Sequence, residues 1–238
     1  MKLKKIKINN QIFKLYFKNG VFIPTATSDF LVNNFLKLNK SVKNKKILDL
    51  GCGSGIITIV LANKIKENEY YASDLSKNST LCCKKNFIKF NINAEIKNGD
   101  MFKPWNDYKF DFIINDISGI SSKLAKRSQW FNNVPISSGA DGTKLTTKII
   151  RESSKYLNRR GILYLPLISL SNNKKILSAA KKNFTKIKII SDNKWFLPIE
   201  MEKHKKLLFN MRDKKEINFE YKFGKFICST RILELKKN

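Results

Sequence analysis

Histidine is almost absent from this chain: His204 is the only one among 238 residues. Triads built on histidine and histidine-rich metal sites are thereby nearly excluded, and His204 itself reads as a solvated residue in a basic helix. Cysteine is sparse too. Cys52, Cys82, Cys83 and Cys228 form no C-x-x-C pair, which argues against a disulfide framework or a zinc site and for small buried residues in a reducing compartment; no metal is expected. No run of about 18 apolar residues offers a membrane span, and no signal-peptide core follows the basic start Met1-Lys2-Leu3-Lys4-Lys5. The expectation is a cytoplasmic protein without a membrane partner, monomeric or weakly dimeric, its length suiting one α/β domain with a small extension.

Acids are scarce as well: 47 lysines and arginines against 19 aspartates and glutamates give a formal net charge of +28. Such a surface attracts polyanions such as RNA. Arginine, however, occurs only at 127, 151, 159, 160, 212 and 231, while lysine, asparagine and isoleucine dominate, a pattern that AT-rich codon usage produces on its own. A functional basic face and compositional drift therefore stand as equal readings of the charge.

What is present is organised around one stretch. Ile47-Leu48-Asp49-Leu50 leads into Gly51-Cys52-Gly53-Ser54-Gly55, and the apolar run Ile56-Ile57-Thr58-Ile59-Val60-Leu61-Ala62 follows at once. A strand, a tight turn and a helix N-terminus are implied, the arrangement that cradles a cofactor. A dinucleotide site calls for G-x-G-x-x-G, and Ile56 stands where the last glycine belongs, which disfavours a nicotinamide oxidoreductase. The order Asp-Leu-Gly-Cys-Gly-Ser-Gly instead resembles motif I of the class I S-adenosylmethionine (SAM) dependent methyltransferases. That resemblance implies SAM as cofactor, with its amino-acid tail over the glycine turn.

The remainder follows the rhythm of such a fold. Residues 4–17 alternate around Asn9-Asn10 and read as a β-hairpin. A helix through about residue 38 follows, with Thr27 or Ser28 as its cap and Phe30, Leu31, Phe35 and Leu38 on its inner face. The preceding Val21-Phe22-Ile23-Pro24 resembles the segment ahead of motif I in methyltransferases that modify RNA bases or the glutamine of release factors. Strands at about 46–50, 70–74, 94–98, 110–115, 162–168 and 185–190 alternate with helices at about 55–66, 77–90, 143–158 and 172–182. Two terminal strands fall near 217–222 and 226–235, an irregular stretch at 116–141, and a turn at Asn158-Arg159-Arg160-Gly161. The expected fold is α/β, a doubly wound, mainly parallel seven-stranded sheet. Residues 1–43 would form a hairpin-and-helix extension and residues 44–238 the SAM-binding domain.

Candidate site residues fall on successive strand ends. Asp74 lies about 20 residues beyond the glycine turn, where an acid reaches a ribose diol in the Rossmann arrangement. Asp49 would orient the glycine turn or receive the cofactor's ammonium, since a buried acid needs a partner. The resemblance places adenine recognition at Asn98-Gly99-Asp100-Met101-Phe102: the Asp100 carboxylate, the Met101 amide and an apolar side chain such as Phe102. Gly51, Gly53, Gly55 and Asn115 complete the expected cofactor set. Amino-group methyltransferases of this kind carry Asn-Pro-Pro-Tyr where this chain reads Asn115-Asp116-Ile117-Ser118. Asn115 and Asp116 are the catalytic candidates: either Asp116 holds or deprotonates an amine or hydroxyl that is not a flat nucleobase, or Trp130 or Phe131 from the irregular stretch substitutes for the missing ring. Ser138-Gly139-Ala140-Asp141-Gly142-Thr143 is expected to be structural, Asp141 or Thr143 capping the next helix. The implied activity is methyl transfer to RNA or to a protein of the translation apparatus. A small-molecule methyltransferase and an inactive, RNA-binding relative remain as alternatives.

Overall fold

The computed structural model describes residues 1–117, 119–131, 133–136 and 138–237. Strands β1 (Lys2–Ile8) and β2 (Gln11–Phe17) form the expected hairpin, and Asn9 and Asn10 both take positive φ, 51° and 58°, as a tight two-residue turn requires. Helix α1 (Ala26–Leu38) follows. Its N-cap is Thr25, upstream of the expected Thr27 or Ser28: the Thr25 hydroxyl accepts from the Thr27 N–H, and Ser28 answers as the third-residue member of a capping box.

The main body then alternates strand and helix: β3 (Lys46–Leu50), α2 (Ile56–Lys64), β4 (Glu69–Asp74), α3 (Lys77–Lys89), β5 (Ala94–Asn98) and β6 (Phe110–Asn115). After the short α4 (Ser122–Ala125) come α5 (Lys144–Ser153), β7 (Leu157–Ile168), α6 (Asn173–Asn183), β8 (Lys186–Phe196), α7 (Ile199–Glu202), α8 (Lys205–Asp213), β9 (Glu220–Lys222) and β10 (Lys225–Lys236). The sheet order is β5-β4-β3-β6-β7-β10-β8, with β9 added as an eighth strand beside β10. The pairs from β5 to β7 are parallel, and β10 runs antiparallel between β7 and β8. The doubly wound, mainly parallel reading therefore holds; seven strands lie on one continuous path, and β9 makes the sheet eight-stranded where seven were expected.

Several boundaries differ for physical reasons. The expected helix to residue 158 stops at Ser153, because Leu157 already pairs with Phe110 in β7. The expected turn at 158–161 is an irregularity inside that strand, with Arg160 at φ 64° and the partner register jumping from Phe110↔Leu157 to Phe112↔Ile162. β8 runs six residues past its expected end at 190, since pairing with β10 continues to Phe196↔Ile227. Helices α7 and α8, between the last two long strands, have no counterpart in the expected pattern beyond the basic helix around His204, which occupies the N-cap of α8. All four cysteines are free and buried, as expected. Among the described residues no helix is long and apolar enough to cross a membrane, and no group of three or more His, Cys, Asp or Glu could hold a metal.

The hairpin and α1 share one apolar core with β3, α2 and α3. Phe35, fully buried on α1, meets Phe112 of β6 and Tyr164 of β7 edge-on, with ring centroids 5.4 and 5.1 Å away. Phe35→Ala is expected to cost about 3–5 kcal/mol in urea denaturation. A cost below about 1 kcal/mol would make α1 a detachable appendage.

Candidate functional site

The turn after β3 owes its shape to three left-handed glycines, with φ of 81° at Gly51, 54° at Gly53 and 82° at Gly55. A Cβ on Gly51 would stand 2.4 Å from the Ile117 side chain, and one on Gly55 2.6 Å from the Phe87 ring, whereas one on Gly53 would meet nothing within 4 Å. Gly51 and Gly55 are thus packed against protein, and Gly53 is the open point of the turn. α2 starts immediately behind it without a side-chain cap.

Gly51 and Gly53 line a cavity of about 400 Å³ at the carboxyl ends of β3, β4, β5 and β6, the edge at which open α/β sheets bind ligands. Asp74, Asp100, Met101 and Asp116 line it as well, so the structure brings most of the sequence-derived set together. The Asp74 carboxylate accepts the Gly53 N–H at 3.0 Å and the Ser76 N–H at 2.8 Å, tying the turn to the start of α3, and burial pushes its pKa up. Asp100 is held by Lys148 at 3.3 Å and Lys103 at 3.6 Å, and Met101 sits at a positive φ of 49°.

Phe102, expected against a ring of the ligand, is committed elsewhere: it is buried and stacked on Tyr156 at 4.6 Å. Exposed Leu75, one residue beyond Asp74, supplies apolar lining at this end instead. Its place directly after Asp74 was the available sequence signal.

Asp49 is buried and is not among the lining residues. Its Oδ2 accepts from the Thr58 hydroxyl at 2.9 Å, linking β3 to α2, while Oδ1 has no partner. Burial, reinforced by the charges of Asp116 and Asp74 against the Thr58 hydrogen bonds, raises its pKa to about 7. The hydroxyl of Ser54, which lines the cavity, is likewise buried without a partner. An open Gly53, an orphan hydroxyl and an orphan carboxylate oxygen fit the polar amino-acid end of SAM.

At the end of β6 the two catalytic candidates part company. Asn115 is buried outside the lining, and its amide donates to the Leu50 carbonyl at 2.8 Å, bracing β6 against β3. Asp116 lines the cavity and accepts from the Ser28 hydroxyl at 2.5 Å. Burial raises its pKa to about 7, opposed by the Ser28 hydrogen bond. Ser28 is a site residue that sequence reasoning treated only as a cap. Ser118, the last residue of the Asn-Asp-Ile-Ser stretch, lies outside the described residues.

A second cavity of about 200 Å³ adjoins the first, and Phe22, Asp116, Ile117 and Phe131 line both. Trp130 and Phe131, the candidate replacement rings, line it together with Phe30 and Trp195. Trp130 meets Trp195 edge-on at 5.8 Å, and the Trp195 indole donates to the Thr230 hydroxyl at 3.0 Å. Trp195 went unnoticed because its strand was expected to stop at residue 190. Asp141 plays the structural part expected: although burial works against it, hydrogen bonds from Thr143 and Lys175 hold its carboxyl below the usual range, and Thr143 is the N-cap of α5.

Known proteins match this arrangement. The family described as methyltransferase small domain matches residues 13–116. A release factor glutamine methyltransferase of Thermodesulfovibrio yellowstonii is 28% identical over 181 residues, 70% of this chain and 65% of that protein. A protein of the same name from Fusobacterium nucleatum is 27% identical over 162 residues, 64% of this chain and 46% of that one, so the chain spans about half to two-thirds of the length of these relatives. Among solved structures, the 16S rRNA N2 G1207 methyltransferase of T. thermophilus in complex with AdoMet and guanosine aligns with a TM-score of 0.64 at 14% identity, covering 100% of this chain and 50% of that one. In its fold, its glycine turn and these relatives, the chain is similar to the class I S-adenosylmethionine-dependent methyltransferases.

Proposed function

We propose that this protein transfers a methyl group from SAM to a nitrogen or oxygen of an RNA or protein component of the translation apparatus, at the junction of its two cavities. The observation that carries the reading is Asp116: buried, hydrogen-bonded to Ser28 and common to both cavities. The larger cavity suits the cofactor. The smaller one, at about 200 Å³, lies below the range of roughly 300–1,000 Å³ usual for whole small-molecule ligands and suits one inserted side chain or base.

When bound, SAM supplies a methyl group on a positively charged sulfur, which leaves as a neutral thioether. Asp74, already oriented by two backbone N–H groups, would accept from the ribose hydroxyls. Asp49 Oδ1 would take the ammonium and Ser54 a polar atom of the amino-acid tail. The Asp100 carboxylate and the Met101 amide remain our assignments for the adenine. The acceptor's lone pair would take the methyl group that SAM supplies, and the acceptor's proton would pass to the Asp116 carboxylate, whose Oδ2 is fixed by Ser28. Residues 1–43 act as an extension whose helix delivers Ser28 to that carboxylate.

Asp74→Ala should weaken SAM binding at least about tenfold in titration calorimetry, the loss of roughly one charged hydrogen bond; unchanged affinity would remove the ribose role. Radiolabelled SAM incubated with the protein and an extract of cells lacking it should place label in RNA or protein. Label confined to small molecules would overturn the acceptor class. With that acceptor, kcat/KM should rise with pH through about 7 as Asp116 ionises. Asp116→Asn should lower it by about 10²–10⁴-fold and flatten the rise. A variant keeping the wild-type profile would exclude Asp116 as the proton acceptor.

A further inference from the structure

The lysines are not evenly matched by acids over the surface. Residues 1–28 and 75–94 hold ten lysines and no aspartate or glutamate, whereas at the chain's average of 19 acids in 238 residues these 48 positions would hold about four. The two segments are far apart in sequence and packed together in space. The Asn86 side chain of α3 clasps the Tyr16 backbone of β2 from both sides, accepting its N–H at 2.7 Å and donating to its carbonyl at 3.1 Å. The Lys18 N–H donates to Cys82 Sγ at 3.1 Å, and Lys89 Nζ to the Lys14 carbonyl at 2.7 Å.

On the outer face of the hairpin Lys5 stands directly opposite Lys14, with Leu3 opposite Tyr16 and Lys7 opposite Ile12, all of them exposed except the half-buried Tyr16. Like charges in directly paired positions destabilise a sheet. Here no carboxylate relieves them: among the described residues, none of the ten lysines of these segments forms an ion pair. Asp29, the one acid that reaches the hairpin, is engaged by the Asn9 N–H at its turn. Lys85 and Lys89 add their charges from α3, 4.0 and 5.2 Å from the centre of the Tyr16 ring. The two acid-free segments, bounded by Asp29, Asp74 and Glu95, thus bring their lysines together where they meet in space.

We infer that the outer face of the β1–β2 hairpin and the adjoining flank of α3 form a docking surface for the phosphodiester backbone of single-stranded RNA. Lys5, Lys14, Lys85 and Lys89 around Tyr16 are its centre. The surface is continuous with the rim of the site: β2 runs on towards Gly20 and Phe22, while Ser76 caps α3 and Ser79 lies in its first turn, all four lining the larger cavity. RNA held here enters beside the aromatic cavity, whose tryptophans suit an unstacked base. This deepens the methyl-transfer reading by choosing RNA over protein as the acceptor, yet docking is measured without SAM, so each fails separately.

The test is fluorescence anisotropy of the full chain with fluorescein-labelled oligouridine between about 50 and 200 mM salt. Replacing Lys5, Lys14, Lys85 and Lys89 together by alanine should weaken binding at least about tenfold at the lower salt and flatten the logarithmic salt slope by about 2–3, each lost phosphate contact being worth about 0.7. SAM affinity by calorimetry should be unchanged, which also reports an intact fold. The control replaces Lys174, Lys181, Lys182 and Lys188, exposed on α6 and β8 at the opposite edge of the sheet, and should retain affinity within about threefold. Equal losses in both variants would show that only net charge matters and overturn the proposal, as would absence of RNA binding by the wild-type chain or label transfer to protein alone.

Discussion

The position of nearly every functional group here depends on a backbone that no residue with a side chain adopts comfortably. Gly51 and Gly55 take left-handed conformations in places where a Cβ would strike Ile117 on one side and Phe87 or Cys83 on the other. The space left by the absent Gly51 side chain is filled by the side chain of Ile117, where the chain leaves β6. Asp116, the residue before Ile117, therefore reaches the cavity because the glycine that follows the neighbouring strand makes room for Ile117. The same turn presents the Gly53 N–H to Asp74, and through Asp74 fixes the approach of α3. A substitution at Gly51 would thus act on both cavities at once.

Electrostatically the site inverts the molecule around it. In a chain of net charge +28, Asp49, Asp74, Asp100 and Asp116 gather at the ends of adjacent strands, and only Asp100 is met by lysines. The other three are raised by burial, and Asp49 also by the charges of two of its neighbours. Acidic groups held with too little positive charge are primed for a cationic ligand, whereas the outer shell prefers an anionic one. Cationic and anionic ligands are consequently drawn to different parts of the same surface.

The parts of this arrangement legible in the sequence are those that repeat a local rule. The glycine turn, the acids after β4 and β5, the Asn9-Asn10 hairpin and the strand–helix alternation each follow from a few neighbouring residues, and the structure reproduces them. What escaped detection depends on partners distant in the chain. Ser28 looks like a capping residue until it is found 88 positions from the carboxylate it binds. Phe102 is apolar and correctly placed in sequence, but the ring of Tyr156 claims it. Asn115 carries the right side chain, and its amide is taken up by Leu50 across the sheet. Trp195 was missed because strand length is set by the partner, β10, and not by the residues of β8 themselves.

β10 also has a temporal meaning. The strand made last in the sheet is inserted between two made earlier, and its Thr230 anchors the tryptophan that walls the smaller cavity. The glycine turn and the aspartates of the cofactor cavity all precede residue 117. During synthesis the turn and acids of the larger cavity are therefore encoded before the Trp195 wall of the smaller one, and an interrupted chain carries the parts of the first without completing the second.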